Sequence, residues 1–175
     1  DEYKRQALQG FIPIKKIKAH VFGAIKQLDI NSFTLIDIGG QDVKIVSVEN
    51  GVIMDMELNE KCAASSGRFI ENMAALLEIS VEELAKYHES PVSLNSTCSV
   101  FAESELIGKI SEGVDTASLY AGINFALYNK IKPAFSKFGS DTAVLSGGVA
   151  KNKAVTEYIK NDFNNIIISK NPEYN

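Results

Sequence analysis

Cysteine is scarce in this chain. Two residues, Cys62 and Cys98, stand among 175, which excludes a disulfide framework. No apolar run approaches the roughly 20 residues needed to span a bilayer, and no signal peptide is visible. There is no basic stripe: the net charge is −4 and the pI about 5.3, so neither value argues for bulk attraction to nucleic acid. Internal repeats and low-complexity tracts are absent as well. What remains is a hydrophobic content of 45% and a charged content of 23%, the balance of a globular domain long enough to bury a core. The chain begins at Asp1 and stops at Asn175 after an extended-looking segment, so an excised piece of a longer protein is expected.

The elements are read from hydrophobic period. A short helix broken by Pro13 and a second helix over Ile17 to Leu28 are expected first, with Lys15, Lys16 and Lys18 on a solvated face. Phe33 to Ile38, Val43 to Val48 and Val52 to Leu58 read as strands. Asn50-Gly51 between the last two is a strong hairpin signal, so the three form an antiparallel meander. The period then changes. Ser66 to Leu77 carries an apolar stripe of Phe69, Ile70, Met73, Ala74, Leu76 and Leu77. Ser80-Val-Glu-Glu83 fits a capping box. Helices are expected over Val100 to Ser111, stopped by Gly113, and over Ser118 to Phe135, interrupted by Pro133. A strand over Thr142 to Leu145, a helix from Ala150 to about Phe163 and a strand over Ile166 to Ile168 close the chain. Strands first, then helices, then a strand–Gly-Gly–helix unit give mixed α/β with helices packed on a sheet.

Two segments have the chemistry of phosphate binding. In Ile36-Asp37-Ile38-Gly39-Gly40-Gln41-Asp42 a strand delivers Asp37 to its end and two glycines turn the backbone. Backbone N–H groups in such a turn cradle phosphate oxygens. Asp37 and Asp42 are candidate Mg²⁺ carboxylates, and Gln41 could orient an attacking water. An ordinary hairpin with a polar turn reads equally well. In Val144-Leu145-Ser146-Gly147-Gly148-Val149-Ala150-Lys151-Asn152 a buried strand runs through Gly-Gly into a helix, which suits a nucleotide as well as a plain strand–helix turn. The two Gly-Gly strand ends together suggest a nucleotide held from both sides.

Cys62 and Cys98 each precede a predicted helix. A helix N-terminus stabilises thiolate, the form that binds metal, and also the negative charge of a thiolate-ligated cluster. Two buried thiols or a single disulfide are the alternatives. An iron–sulfur cluster takes about four thiolates, so a twofold dimer contributing two from each subunit is the simplest complete site. His20 and His88 stand alone and read as surface or satisfied core residues. Glu103 and Glu105 suit the start of a helix, and Glu103 also suits a contact around a cluster. Phe69 and Phe101 read as core, with shielding of a cluster as the alternative.

Asp37-Ile-Gly-Gly-Gln-Asp42, Lys61-Cys-Ala-Ala-Ser-Ser-Gly-Arg-Phe69, Cys98-Ser-Val-Phe-Ala-Glu-Ser-Glu105 and Ser146-Gly-Gly-Val-Ala-Lys-Asn152 together resemble the activators of 2-hydroxyacyl-CoA dehydratases and the ATPase subunits of benzoyl-CoA reductases. Ile17-Lys-Ala-His-Val-Phe-Gly23 resembles the family's segment before the phosphate motif. The resemblance runs in order from about Ile17 to the C-terminus.

The resemblance implies an α/β fold, one actin-like (ribonuclease H-like) ATPase lobe with a mixed sheet, an antiparallel meander and flanking helices. It implies a cytoplasmic homodimer with one [4Fe–4S] cluster between subunits, ATP or ADP with Mg²⁺, and one-electron donation to a CoA-thioester dehydratase or reductase. By residue, Cys62 and Cys98 match the cluster ligands. Asp37, Gly39, Gly40, Gln41 and Asp42 match the second phosphate motif, with Asp37, Gln41 and Asp42 in the catalytic roles. Gly147, Gly148, Val149 and Asn152 match the adenosine motif, and Gly67, Arg68 and Glu71 lie toward ribose and adenine.

Ser65-Ser66-Gly67 departs from the usual Gly-Thr-Gly, and Ser146 replaces the more usual Thr. The family's N-terminal Asp-x-Gly-Ser-Thr motif and its C-terminal small-residue helix are missing. Residues 1–32 are therefore expected to be a remnant of the first lobe with a connecting helix. Residues 33–175 are expected to be the second lobe, truncated at its C-terminus and inactive alone. A cluster-free phosphotransferase of the same superfamily and a non-catalytic docking lobe of a larger activase are the competing readings.

Overall fold

The computed structural model describes residues 16–59, 65–95, 98–170 and 172. The elements run α1 (Lys16–Leu28), β1 (Phe33–Ile38), β2 (Val43–Glu49), β3 (Val52–Asn59), α2 (Gly67–Leu76), α3 (Val81–Leu84), α4 (Ser99–Ser111), α5 (Thr116–Phe135), β4 (Thr142–Ser146), a 3₁₀ turn (Gly148–Lys151), α6 (Lys153–Lys160) and β5 (Asn165–Ile168). The expected short helix before Pro13 lies outside the described residues.

One five-stranded sheet is ordered β3-β2-β1-β4-β5. β1 pairs antiparallel with β2, from Phe33 opposite Val48 to Ile38 opposite Val43, and parallel with β4. β2 and β3 pair antiparallel, and β5 adds parallel to β4. The meander forms where the strand-like runs and the Asn50-Gly51 signal predict it. At its hairpin Asn50 has φ 49° and Gly51 φ 77°, the two positive values a tight primed turn demands.

Every residue of β1 is buried, because both sheet faces are covered. Phe33, Leu35, Val46, Val48 and Val144 pack under Val21 and Ala24 of α1. On the opposite face Ile36, Ile38, Val43, Ile45 and Leu145 join Phe69, Ile70 and Met73 of α2, Ile123 and Leu127 of α5 and Val155 and Ile159 of α6. Edge strand β3 is different: Val52, Met54, Met56 and Leu58 stay exposed.

Three helical boundaries depart from the sequence reading. α5 runs unbroken to Phe135 with Pro133 inside it. A proline in the last turn removes one hydrogen bond near the helix end, which the packed face tolerates. The helix expected from Ala150 to Phe163 is two pieces, the 3₁₀ turn and α6, because Asn152 takes an extended ψ of 104° and caps α6. The capping box at Ser80 is half made: its hydroxyl accepts from the Glu83 N–H, while the Glu83 carboxylate turns to Lys86 and Tyr87.

Candidate functional site

The turn after β1 closes with the Gly39 N–H donating to the Asp42 carbonyl at 2.9 Å. Asp37 sits at the end of β1, buried, and directly opposite Lys44 in the β1–β2 register. Its Oδ2 lies 3.2 Å from His20 Nδ1 and 3.7 Å from Lys44 Nζ. No hydrogen bond forms at His20 Nδ1, which is buried close to the carboxylate. Lys44 also donates to Asp42, which makes it the cation shared by the two expected carboxylates. Gln41 is exposed on the turn. Two members of this cluster, His20 and Lys44, escaped the sequence reading. Lys44 had a signal, since an alternating strand places it across from Asp37. His20, read as standing alone within the Ile17–Gly23 segment, is buried against a carboxylate.

The N-terminus of α2 is stitched to this turn. Gly67 N–H donates to the Gly39 carbonyl (2.8 Å), Arg68 N–H to the Gly40 carbonyl (2.9 Å), and Ser66 Oγ to the same Gly40 oxygen (3.1 Å). A Cβ on Gly67 would stand 3.1 Å from the Gly39 carbonyl oxygen and 3.2 Å from Val149, so only glycine packs here without displacement. The unusual Ser65 is accommodated too: it is buried and its hydroxyl accepts from Asn59 Nδ2 at 2.9 Å. Arg68 and Glu71 pair one turn into α2, 3.3 Å apart and half-exposed.

At the end of β4, Gly147 has φ 81°, and a Cβ there would lie 2.2 Å from the Ile38 carbonyl oxygen and 2.8 Å from the Asp37 carboxylate. Gly147 thus packs directly against the end of β1, next to the first Gly-Gly turn. Its N–H donates to the Pro172 carbonyl (2.7 Å), while Gly148 is exposed. Asn152, nearly buried, accepts from the Val155 N–H (3.0 Å) and donates to Asn124 (2.8 Å). Its side chain is therefore committed to the scaffold.

Between these pieces lies a cavity of about 320 Å³. Gly39, Gly40 and Gly67 form one side and Gly148, Val149, Lys151 and Asn152 the other. Ile70 and Glu71 of α2, with Val81, Glu82 and Ala85 around α3, form the end. Seven of the residues singled out from sequence (Gly39, Gly40, Gly67, Glu71, Gly148, Val149 and Asn152) share this lining. Asp37, Gln41, Asp42, Arg68 and Gly147 do not line it. Apolar walls with glycine edges suit a planar ring and a close approach of backbone to ligand.

Cys62 lies outside the described residues, so its distance to Cys98 is not defined. Cys98 is the N-cap residue of the 13-residue α4, half-buried, with φ −139°. Its N–H donates to Asn95 Oδ1 (3.4 Å), and the Asn95 N–H donates to Glu105 (2.8 Å), so Glu105 braces the loop that presents the cysteine. Glu103 is partly exposed. Phe69 is core as expected, but Phe101 is 64% exposed beside Val100 at 61%, which corrects the reading of Phe101 as core. Both project from the first turn of α4, next to Cys98. Among the described residues no group of three or more His, Cys, Asp or Glu side chains converges as a metal site. Among those residues, too, no helix is long and apolar enough to cross a membrane.

The sequence pattern of the BadF/BadG/BcrA/BcrD ATPase family matches residues 2–175. The activating ATPase of (R)-2-hydroxyglutaryl-CoA dehydratase from Acidaminococcus fermentans is 39% identical over 159 residues, 87% of this chain and 61% of that protein. The crystal structure of component A of (R)-2-hydroxyglutaryl-CoA dehydratase from Acidaminococcus fermentans superposes with a TM-score of 0.83 at 37% identity, covering 92% of this chain and 64% of that one. The activator of 2-hydroxyisocaproyl-CoA dehydratase from Clostridium difficile, solved with bound ADPNP, gives 0.81 at 33% identity, covering 91% and 62%. The chain spans less than two thirds of the length of each. With the mixed sheet described above, these matches establish the α/β, actin-like ATPase fold. The chain belongs to the BadF/BadG/BcrA/BcrD ATPase family.

Proposed function

We propose that this chain is the second, nucleotide-binding and cluster-bearing lobe of an ATP-dependent activator that passes one low-potential electron to a CoA-thioester dehydratase or reductase. The observation that carries the nucleotide half is the convergence of both Gly-Gly turns and the start of α2 on one cavity, in a family with a relative that binds ADPNP. In this reading the adenosine lies between Val149 and the Ile70–Val81–Ala85 wall, and the phosphates run toward Gly39 and Gly40. Asp42, the more exposed of the two carboxylates, and Asp37 behind it would hold Mg²⁺, sharing their charge with Lys44. Gln41, exposed on the turn, would orient water.

The donor set for the cluster is two thiols per chain, and Cys98 fits it. It stands half-buried at the N-terminus of a 13-residue helix, whose dipole favours the negative charge of a thiolate-ligated cluster. A cluster held by Cys62 and Cys98 from each of two subunits would supply the one-electron redox chemistry. Val100 and Phe101, exposed in this chain, are placed to close such a subunit contact against water. The proposed site of action, beside a partner that acts on CoA thioesters, is the cytoplasm.

Anaerobic reconstitution with iron and sulfide tests this reading. A brown protein with about four irons per two chains is expected. Cys62→Ser and Cys98→Ser should each remain colourless. A folded wild-type chain that stays iron-free would sink the cluster claim. Phosphorylation of a small acceptor by the complete protein, without iron, would favour a phosphotransferase instead.

A further inference from the structure

One buried side chain outside the cavity links its end to the side that carries Asn152. Asn124 of α5 is wholly buried. Its Nδ2 donates to the carbonyls of Leu84 (2.8 Å), Tyr87 (3.0 Å) and Tyr120 (3.1 Å). Its Oδ1 accepts from Asn152 Nδ2 (2.8 Å). The amide orientation is fixed by chemistry, since a flipped amide would set its oxygen against three carbonyl oxygens.

The wall needs such a link. α3 is four residues, Val81–Leu84, too short to hold its own geometry. Its carbonyls are met by the turn that follows, Val81 by the Ala85 N–H (2.9 Å) and Glu83 by the Lys86 N–H (3.1 Å), while Leu84 has only a long bond from the Tyr87 N–H (3.4 Å) within the backbone. Leu84 and Tyr87 bond to Asn124, and Ala85 accepts from the Ala154 N–H of α6 at 3.0 Å. Asn152 in turn caps α6 and so sets the register of Ala154. The end of α3, at Leu84, and Asn152 on the cavity side therefore meet at one amide, and Ala85 is tied to the helix that Asn152 caps.

We infer that Asn124 is a positioning residue for the nucleotide, which it never touches: it sets the width of the cavity by fixing α3 relative to Asn152. This rests on the nucleotide reading of the cavity proposed above. A ring held between two walls loses affinity steeply when one wall is free to drift, because the drift must be frozen again on binding.

The test is isothermal titration of the full chain with Mg²⁺ and ADP, beside its thermal melt. Asn124→Ser removes the donated bonds and is expected to weaken ADP binding by about tenfold or more at a temperature where it is folded. Tyr158→Phe loosens the same loop at the His88 carbonyl (2.6 Å) without touching Asn124, and should lower the melting temperature with ADP affinity within about twofold. Folded Asn124→Ser binding ADP as the wild type does would overturn the inference. Should that variant not fold, hydrogen exchange on the wild type decides: ADP should slow the Leu84, Ala85 and Val155 amides together, and bound ADP that leaves them unchanged overturns the proposal. A wild type that binds no ADP overturns the nucleotide reading itself, which is a different result from equal binding by wild type and variant.

Discussion

Glycines 147 and 148 are neighbours with opposite tolerance. At Gly147 a positive φ of 81° and a carbonyl oxygen 2.2 Å from a built Cβ leave no room for a side chain. At Gly148 nothing lies within 4 Å. Gly147→Ala should cost about 2 kcal/mol or more in urea unfolding, and Gly148→Ala about 0.5 kcal/mol or less. The same contrast in ADP titration separates the two roles, because Gly148 lines the cavity and Gly147 packs against the end of β1. Tyr158 offers a second test. Burial pushes its hydroxyl from 10.0 up to about 12. Between those values the native protein keeps a proton that the unfolded chain has lost. Stability from this group is thus complete below the unfolded value and is lost as pH rises through the window. Unfolding followed across that range should show a falling slope that Tyr158→Phe flattens.

Helix ends show which elements declare themselves in sequence. Asp115 caps α5 by accepting from the Ser118 N–H at 2.8 Å, and that bond, with the Ser118 side chain second, holds its carboxyl below the ordinary 3.8. Its contribution is therefore present above 3.8 and is lost as pH falls through the lowered native value. Asp115→Ala should lower the melting temperature at neutral pH. Asp115→Asn should keep the cap and lose the acid dependence, which melts at several pH values would show. The Asp115 cap was missed, and the helix was expected only from Ser118, although the signal is local; the Ser80 cap and the Asn50–Gly51 hairpin were read because each depends on residues near in sequence. Gly113 likewise ends α4 as expected, at φ 76°. The split at Asn152 was not readable: the side chain that stops the 3₁₀ turn and starts α6 is held by Asn124, a partner from another helix. Asn124 itself sits in an apolar stretch where nothing local marks it. The site follows the same rule. Its glycines were legible because turns demand them, whereas His20 meets Asp37 only because α1 packs back on the sheet.

At the scale of the molecule, most of the exposed large apolar side chains among the described residues fall in two places. One is the outer face of β3 with Met54, Met56 and Leu58; the other is α4, where Val100, Phe101, Ile107 and Ile110 stand 45–64% exposed. A helix whose first turn carries a cysteine cap and two large exposed side chains is unfinished as a monomer surface. Phe69 and Phe101 make the distinction measurable. Phe69 is 1% exposed in the main core, so Phe69→Ala should cost about 3–5 kcal/mol and be seen in any unfolding experiment. Phe101 touches little within its own chain, so Phe101→Asp should change monomer stability by about 0.5 kcal/mol or less. In the proposed dimer, however, it places a charge beside the cluster ligand at the subunit contact. Sedimentation of the anaerobically reconstituted protein should then show dimers for the wild type, monomers for Phe101→Asp, and loss of bound iron in step with loss of the dimer. Iron retained by a monomeric Phe101→Asp would mean that one chain completes its own metal site, and a dimeric Phe101→Asp would move the contact elsewhere on the surface, the exposed face of β3 being the next candidate.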